Sequence, residues 1–411
     1  MTERRGRWVA LLVGLLVTGL VLAPTAGATR KAATHTVHRA GDAQALAGRG
    51  MWIWYVSRSS GGTVSGIVST ARHYGINTLI IKSSDGPTMW SQFNPGLVSE
   101  LHASGLHVCA WQYVYGNHPI LEADVAAEAV HDGADCLIID AESEYEGKYV
   151  QAQSYITQLR KLIGQSYPVA LAGFPYVDYH PGFPYSIFLG PGGAQYNTPQ
   201  MYWMDIGTSV NTVYAHTYAY NRIYERQIDP LGQVWENPPA GQIIRFRQLS
   251  RTYGAAGVSW WDWQQASTAG WGAISVGAGN LTNVAATTAT PILKLGSVGD
   301  PVVWAQEHLA TAGYTTAIDG DYGPGTQFAI ESFQTAQGLA VDGIVGPATW
   351  AALLRYAPAA VVWTAHSGAT VASAAAVRVA RAGHRPLVLQ VPKSAYAHAR
   401  RDEIAGAGGA G

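Results

Sequence analysis

The chain has 411 residues, of which 48% are hydrophobic and only 13% charged, with a formal net charge of −1. That length accommodates a barrel-sized domain plus a small one, and the composition excludes a largely unfolded chain. The near-zero charge excludes nucleic-acid binding driven by a globally basic surface.

Arg4, Arg5 and Arg7 precede an apolar run over residues 8–22, and Ala26-Gly27-Ala28 offers small residues for cleavage. This pattern predicts a secretory signal peptide over residues 1–28 and an exported protein. An uncleaved anchor is the alternative, but the run is short for a membrane span, so no stable insertion is expected after cleavage. Residues 29–47 read as a flexible lead-in.

Short apolar runs then recur at intervals of about thirty residues. They cover residues 50–55, 77–82, 106–111, 135–142, 168–173 and 198–203, a weaker stretch at 224–229, and 257–263. Helix-like segments lie between them at 64–73, 97–103, 121–131, 149–163, 209–224 and 241–253, and most stop at a glycine. Eight strands alternating with helices is the count for a (β/α)8 TIM-like barrel over residues 48–280. A doubly wound open sheet competes, but no Gly-rich phosphate loop follows the first strand. Cys109 and Cys136, the two cysteines of the chain, both fall in strand runs. They can pair in an oxidising compartment, but parallel neighbours rarely present suitable geometry, so two buried thiols are expected.

The fourth run, Asp135-Cys136-Leu137-Ile138-Ile139-Asp140-Ala141-Glu142, begins apolar and ends in two carboxylates. Side chains alternate along a strand, so Asp140 and Glu142 share one face. Acids at the carboxyl end of a buried parallel strand sit where barrel enzymes keep their chemistry. The competing reading puts Glu142 in a solvated loop with Glu144 and Glu146.

Residues 281–291 read as a linker, and residues 292–356 as a small three-helix domain containing a repeat. Asp319-Gly320-Asp321-Tyr322-Gly323-Pro324-Gly325-Thr326 is echoed by Asp342-Gly343-Ile344-Val345-Gly346-Pro347-Ala348-Thr349. Each copy places a turn, then proline at the first helical position, where its missing N–H costs nothing. The helices that follow carry Phe328, Ile330 and Phe333, then Trp350, Leu353 and Leu354. An earlier helix is expected over residues 302–312. The tail over 357–411 is Ala- and Gly-rich, with short ordered pieces expected at 361–363 and 386–391.

Residues 292–355 resemble the type 1 peptidoglycan-binding domain family. The resemblance rests on Leu295-Gly296-Ser297-Val298-Gly299-Asp300-Pro301-Val302-Val303, Leu309, Gly313-Tyr314, both repeats, Phe333-Gln334 and Gly338-Leu339. It implies peptidoglycan or another cell-wall glycan as the partner, and no catalysis. Residues 49–275 resemble the glycoside hydrolase barrels of the Chalaropsis-type lysozymes and, more loosely, of the chitinase type. Those barrels carry Asp-x-Glu at the end of the fourth strand, matched by Asp140-Ala141-Glu142. Their aromatic-bearing sixth strand is matched by Gln200-Met201-Tyr202-Trp203, and their Trp-rich eighth by Trp260-Trp261-Asp262-Trp263. Chitinases have a further Asp four residues before the Glu, and Ile138 stands there in this chain; Asp135 falls at the outer Asp position of their longer motif.

The resemblance implies an exported, wall-associated hydrolase of β-glycosidic bonds in peptidoglycan or a related N-acetylated glycan. The alternatives are a non-catalytic wall-binding protein with a degenerate barrel, or a barrel directed at another polysaccharide. Glycoside cleavage needs a proton donor on the leaving oxygen and a negative or nucleophilic group near the anomeric carbon. Glu142 is the candidate acid, with its proton affinity raised by Asp140. In the resembling families the substrate's own acetamido group acts as nucleophile, oriented by the Asp. Tyr202 is the candidate donor to the acetamido oxygen, and Asp262 a further carboxylate. Trp54, Trp111, Tyr113 and Trp261 are candidate sugar platforms, and Lys82 and Gln200 candidate pocket-lining residues. No metal-ligand spacing, cofactor motif or nucleophile elbow is present, and His107, His118 and His180 read as structural or exposed.

Overall fold

The computed structural model describes residues 44–364 and 368–371. The expected signal peptide, most of the lead-in and the run at 386–391 lie outside the described residues. Eight parallel strands form a ring: β1 (Gly48–Ile53), β2 (Thr78–Asp85), β3 (His107–Val114), β4 (Cys136–Ala141), β5 (Val169–Ala172), β6 (Tyr196–Asn197), β7 and β8 (Gly257–Trp261). β7 comes in two pieces, Gln227–Ile228 and Leu231–Gln233. The first piece pairs with β6 and the second with β8, which pairs with β1. Gln200, just past β6, bridges Leu231 and helps close the ring. Helices α1 (Val64–Tyr74), α2 (Pro95–Ala103), α3 (Pro119–His131), α4 (Tyr149–Ile163), the single turn α5 (Tyr185–Phe188), α6 (Val210–Asn221), α7 (Ala240–Thr252) and α8 (Thr268–Ser275) follow the successive strands. Among the described residues no helix is long and apolar enough to cross a membrane.

Both faces of the strands are buried, as a parallel sheet under helices requires. Outward residues such as Met51, Leu79, Val108, Leu137, Leu171 and Trp260 join the helices in one core. Inward residues Trp52, Ile80, Cys109, Trp111, Cys136, Ile138, Ala170 and Leu231 fill the ring.

The structure moves several boundaries. The sixth strand lies at Tyr196–Asn197 rather than 198–203, because Pro199 has no N–H to continue a ladder. The seventh runs later than 224–229 and is split at Pro230 for the same reason. β1 and β4 stop at Ile53 and Ala141, leaving Trp54 and Glu142 just beyond their strands. The helix expected over 209–224 ends at Asn221.

The two cysteines are not free thiols. The β3–β4 register sets Cys109 opposite Cys136, and they form a disulfide with Cα atoms 4.6 Å apart. In this ring both side chains point inward from directly paired positions, which supplies the close approach that a disulfide needs.

Helices α9 (Asp300–Thr311), α10 (Pro324–Gln337) and α11 (Pro347–Leu353) make the C-terminal unit. Its sequence repeat is also a hydrogen-bond repeat. Gln306 Oε1 accepts from Asp319 N and Gly320 N, while its Nε2 donates to Asp319 Oδ1, Asp321 O and Thr326 Oγ1. Gln334 does the same for Asp342 N, Gly343 N, Asp342 Oδ1, Ile344 O and Thr349 Oγ1. Gly320 and Gly343 adopt positive φ (74° and 66°), which explains glycine after each Asp. Ile330 and Phe333 are buried as expected, whereas Phe328 is 71% exposed.

This unit is fastened to the barrel through α9. Asp300 is fully buried and accepts from Ser186 N (2.8 Å), Ser186 Oγ (2.7 Å), Tyr149 OH (3.0 Å) and Tyr224 OH (2.7 Å). Trp304 donates its Nε1 proton to Ile223 O at 2.7 Å. A β-carbon on Gly299 would meet Pro181 at 2.5 Å, so glycine allows the close approach. Beyond α11 the strand Val361–Thr364 returns to α4, where Trp363 packs on Tyr149 with ring centroids 4.3 Å apart.

Two outcomes follow for stability. Asp300→Ala leaves buried donors on α4, α5 and the turn after α6 without their acceptor. It should cost on the order of 3 kcal/mol, read as an earlier melting transition than that of a control at an exposed carboxylate such as Glu128→Ala. Cys109→Ala/Cys136→Ala removes a link across 27 residues of sequence. It should cost about 2–4 kcal/mol, and thiol titration of the unreduced native protein should find no free cysteine.

Candidate active site

Asp140 is the penultimate residue of β4, and Glu142 is the first residue beyond it. Strand alternation turns both toward the barrel axis at its carboxyl end, where each is only 5% exposed. Glu142 is therefore not a solvated loop residue. Gln200 Nε2 donates to Asp140 Oδ1 and Glu142 Oε1, both at 2.9 Å. Tyr113 OH lies 3.2 Å from Glu142 Oε2 and 2.8 Å from Glu144 Oε2. A phenol has one proton to donate, so it serves one of these carboxylates at a time.

Burial pushes the Glu142 carboxyl well above the ordinary range, and the neighbouring Asp140 charge adds to that. Burial also raises Asp140, against the attraction of the Lys82 ammonium. Two buried carboxyls this close resist double ionisation and titrate as a pair. Burial and the surrounding carboxylates push the Tyr113 hydroxyl far up as well, so it remains a donor.

Lys82 ends the regular part of β2. The β2–β3 register slips between Lys82 and Ser84, which sets Lys82 beside Trp111 and Asp85 beside Tyr113. This bulge brings residues three apart onto the inner face, where Lys82 Nζ meets Asp85 Oδ2 at 2.9 Å. The ammonium also lies over Trp111 (4.2 Å from the ring centroid) and near Trp90, Trp54 and Tyr113.

Tyr202, beyond β6, and Asp262, just past β8, are both buried at the same end. Burial holds the Tyr202 hydroxyl protonated, helped by the charges of Asp140, Glu142 and Asp262. The structure thus brings Asp140, Glu142, Gln200, Tyr113, Tyr202 and Asp262 to one mouth. Of the aromatic candidates, Trp54, Tyr113 and Trp261 keep exposed surface, and Trp54 and Trp261 pack at 5.6 Å. Trp111 is 1% exposed beneath Lys82, which is itself 2% exposed, so neither offers an open face.

Asp135 sits at the opposite end of β4, seven residues from Glu142. Its Oδ2 accepts from Val108 N and meets His102 Nε2, so it ties strand to helix away from the mouth. His180 is half-buried and bonded to Glu146 at 2.8 Å. Sequence reasoning left out Glu144, Asp85 and Trp90. Glu144 lies within the 3-10 turn Ser143–Tyr145 that breaks the strand alternation, and Asp85 and Trp90 depend on the bulge and the small hairpin after it. Among the described residues no group of three or more His, Cys, Asp or Glu side chains is arranged to hold a metal ion.

The raised Glu142 carboxyl has a signed consequence. The folded state holds this proton more tightly than the unfolded chain, so its contribution to stability falls as pH rises above the unfolded carboxyl range of about 4.3. Glu142→Gln removes that loss. The variant should melt at a higher temperature than wild type at pH 8, with the gap closing toward pH 4; a gap independent of pH contradicts the assignment.

Residues 298–353 match the family model described as "Putative peptidoglycan binding domain". The chain is 48% identical over 63 residues to the zinc D-Ala-D-Ala carboxypeptidase of Streptomyces albus G, covering 14% of this chain and 24% of that one. It is 36% identical over 69 residues to the spore cortex-lytic enzyme of Halalkalibacterium halodurans, covering 16% and 21%. The chain thus spans a quarter or less of the length of these two relatives. The barrel region is similar to a GH18 chitinase from Pseudoalteromonas aurantia, at 15% identity and a TM-score of 0.42, over 55% of this chain and 97% of that one. The C-terminal helical unit, matched over residues 298–353, is a domain of the peptidoglycan-binding family set behind a (β/α)8 barrel.

Proposed function

We propose that this chain is an exported, wall-directed glycoside hydrolase. Its barrel cuts β-glycosidic bonds in peptidoglycan or a related N-acetylated glycan, and its C-terminal domain holds it on the wall. The observation that supports this most is the buried Asp140–Glu142 pair, bridged by Gln200 at the aromatic-rimmed carboxyl end of the barrel. Glu142, with its raised proton affinity, donates a proton to the leaving glycosidic oxygen. Ionised Asp140 orients the substrate's acetamido group, whose oxygen attacks the anomeric carbon. Tyr202 donates a hydrogen bond to that group. Water then opens the cyclic intermediate, with Glu142 acting as base. Trp54 and Trp261 stack on sugar faces at the rim.

A second reading, binding without cleavage, draws on one observation. Both Glu142 oxygens already have partners in Gln200 and Tyr113, and the residue is 5% exposed. Purified peptidoglycan incubated with the full chain and with Glu142→Gln separates the two readings, with new reducing ends read by mass spectrometry. A hydrolase releases ends with wild type and loses about 10²–10⁴-fold of that rate in the variant. Release by both proteins alike removes Glu142 from the chemistry. No release by either, with wall pull-down intact, moves the assignment to binding alone.

A further inference from the structure

The proposed chemistry needs the two carboxyls in different states, yet they are equally buried and share one amide donor. Something must decide which holds the proton. The groups facing Asp140 can be taken element by element. From β4 and its continuation come Glu142 and Glu144, both acidic. From β3 comes the Tyr113 hydroxyl, and from beyond β6 the Tyr202 hydroxyl, both held neutral. From beyond β6 the Gln200 amide serves both carboxyls alike. Asp262 follows β8 and acts on Tyr202 from that side, and Asp205 acts on it as well. From β2 come Asp85 and Lys82. Directly below Asp140 on the same face is Ile138, which can neither accept nor donate a proton.

We infer that Lys82 is a positioning residue that holds Asp140 as the ionised member of the pair and so leaves the shared proton on Glu142. The geometry is specific to this role. Lys82 is buried on the inner face, and its ammonium is fixed rather than free, between the Trp111 ring face and the Asp85 carboxylate. Trp111 and Tyr113 are paired in register with Ile138 and Asp140. By register Lys82 is level with Trp111 and Ile138, one inward step below Asp140, while Asp85 is level with Tyr113 and Asp140. The cation is thus nearer in depth to Asp140 than to Glu142, which extends past the strand toward Tyr113 and Glu144. Asp85 is in turn held by Tyr115 OH at 2.8 Å. Consistent with this placement, the Lys82 charge favours ionisation of Asp140, whereas the largest charge effect on Glu142 is repulsion by Asp140.

The inference rests on the proposed function for its meaning but is tested without it. Carboxyl carbons of the 13C-labelled full chain are titrated by NMR in wild type, Lys82→Met and Lys82→Arg, with Asp140→Asn and Glu142→Gln assigning the signals. In Lys82→Met the Asp140 midpoint should move up by about one pH unit or more, the usual effect of an adjacent opposite charge. Lys82→Arg should restore it. If Lys82→Met does not fold, Lys82→Gln is the second neutral variant and carries the same expectation. An Asp140 midpoint unchanged in a folded neutral variant overturns the inference, whatever the activity. On peptidoglycan, the acid limb of the rate–pH profile should move with the Asp140 midpoint. Absence of cleavage by wild type at every pH, with the NMR shift present, removes the hydrolase reading and leaves the electrostatic role of Lys82 standing.

Discussion

Closing eight parallel strands into a ring forces every second side chain into a narrow interior, and this constraint organises the whole molecule. The interior must be filled, so Trp52, Ile80, Trp111, Ile138 and Leu231 pack there. It must also end, and at the carboxyl end the filling changes from apolar groups to Asp140, Glu142, Gln200 and Lys82. The disulfide follows from the same geometry, since Cys109 and Cys136 are register partners whose side chains share the inward face.

Burying acids in such a mouth is costly unless their charge is shared or compensated. The structure does both. Gln200 gives one amide to two carboxyls, Tyr113 gives one hydroxyl proton to either of two, and Lys82 brings a cation fixed by Asp85 and aromatic faces. The mouth is thus an electrostatic unit, in which moving one proton alters the ionisation of several neighbours. The same logic holds Asp300, whose carboxylate is satisfied by four donors from the barrel and joins the C-terminal domain to it. A domain of the peptidoglycan-binding family is therefore carried on α9 in a fixed seat against the barrel, with Trp304 and Gly299 completing the contact.

Much of the fold was legible in the sequence because its determinants are local. The recurring apolar runs, the glycines that stop α1 and α4, and the repeated Asp-Gly and Gly-Pro steps each follow from the preferences of a few adjacent residues. The same periodicity placed Asp140 and Glu142 on one face. Elements shaped by neighbouring strands were less legible. Pro199 and Pro230 shorten or split their strands, yet the ring still closes because each piece of β7 finds a different partner.

The sequence by itself determined the strand count, the paired acids and the turn-and-helix repeat of the C-terminal domain, since each is encoded in spacing along a few residues. Tertiary structure alone decided the rest. Cys109 meets Cys136 only through the β3–β4 register, and Lys82 joins Asp85 on the inner face only through a one-residue bulge. Asp135, seven residues from Glu142, proved to belong to the other end of the barrel, because a strand carries that many residues across its whole depth. Register, bulge and ring closure are properties of paired strands, and no single stretch of sequence contains them.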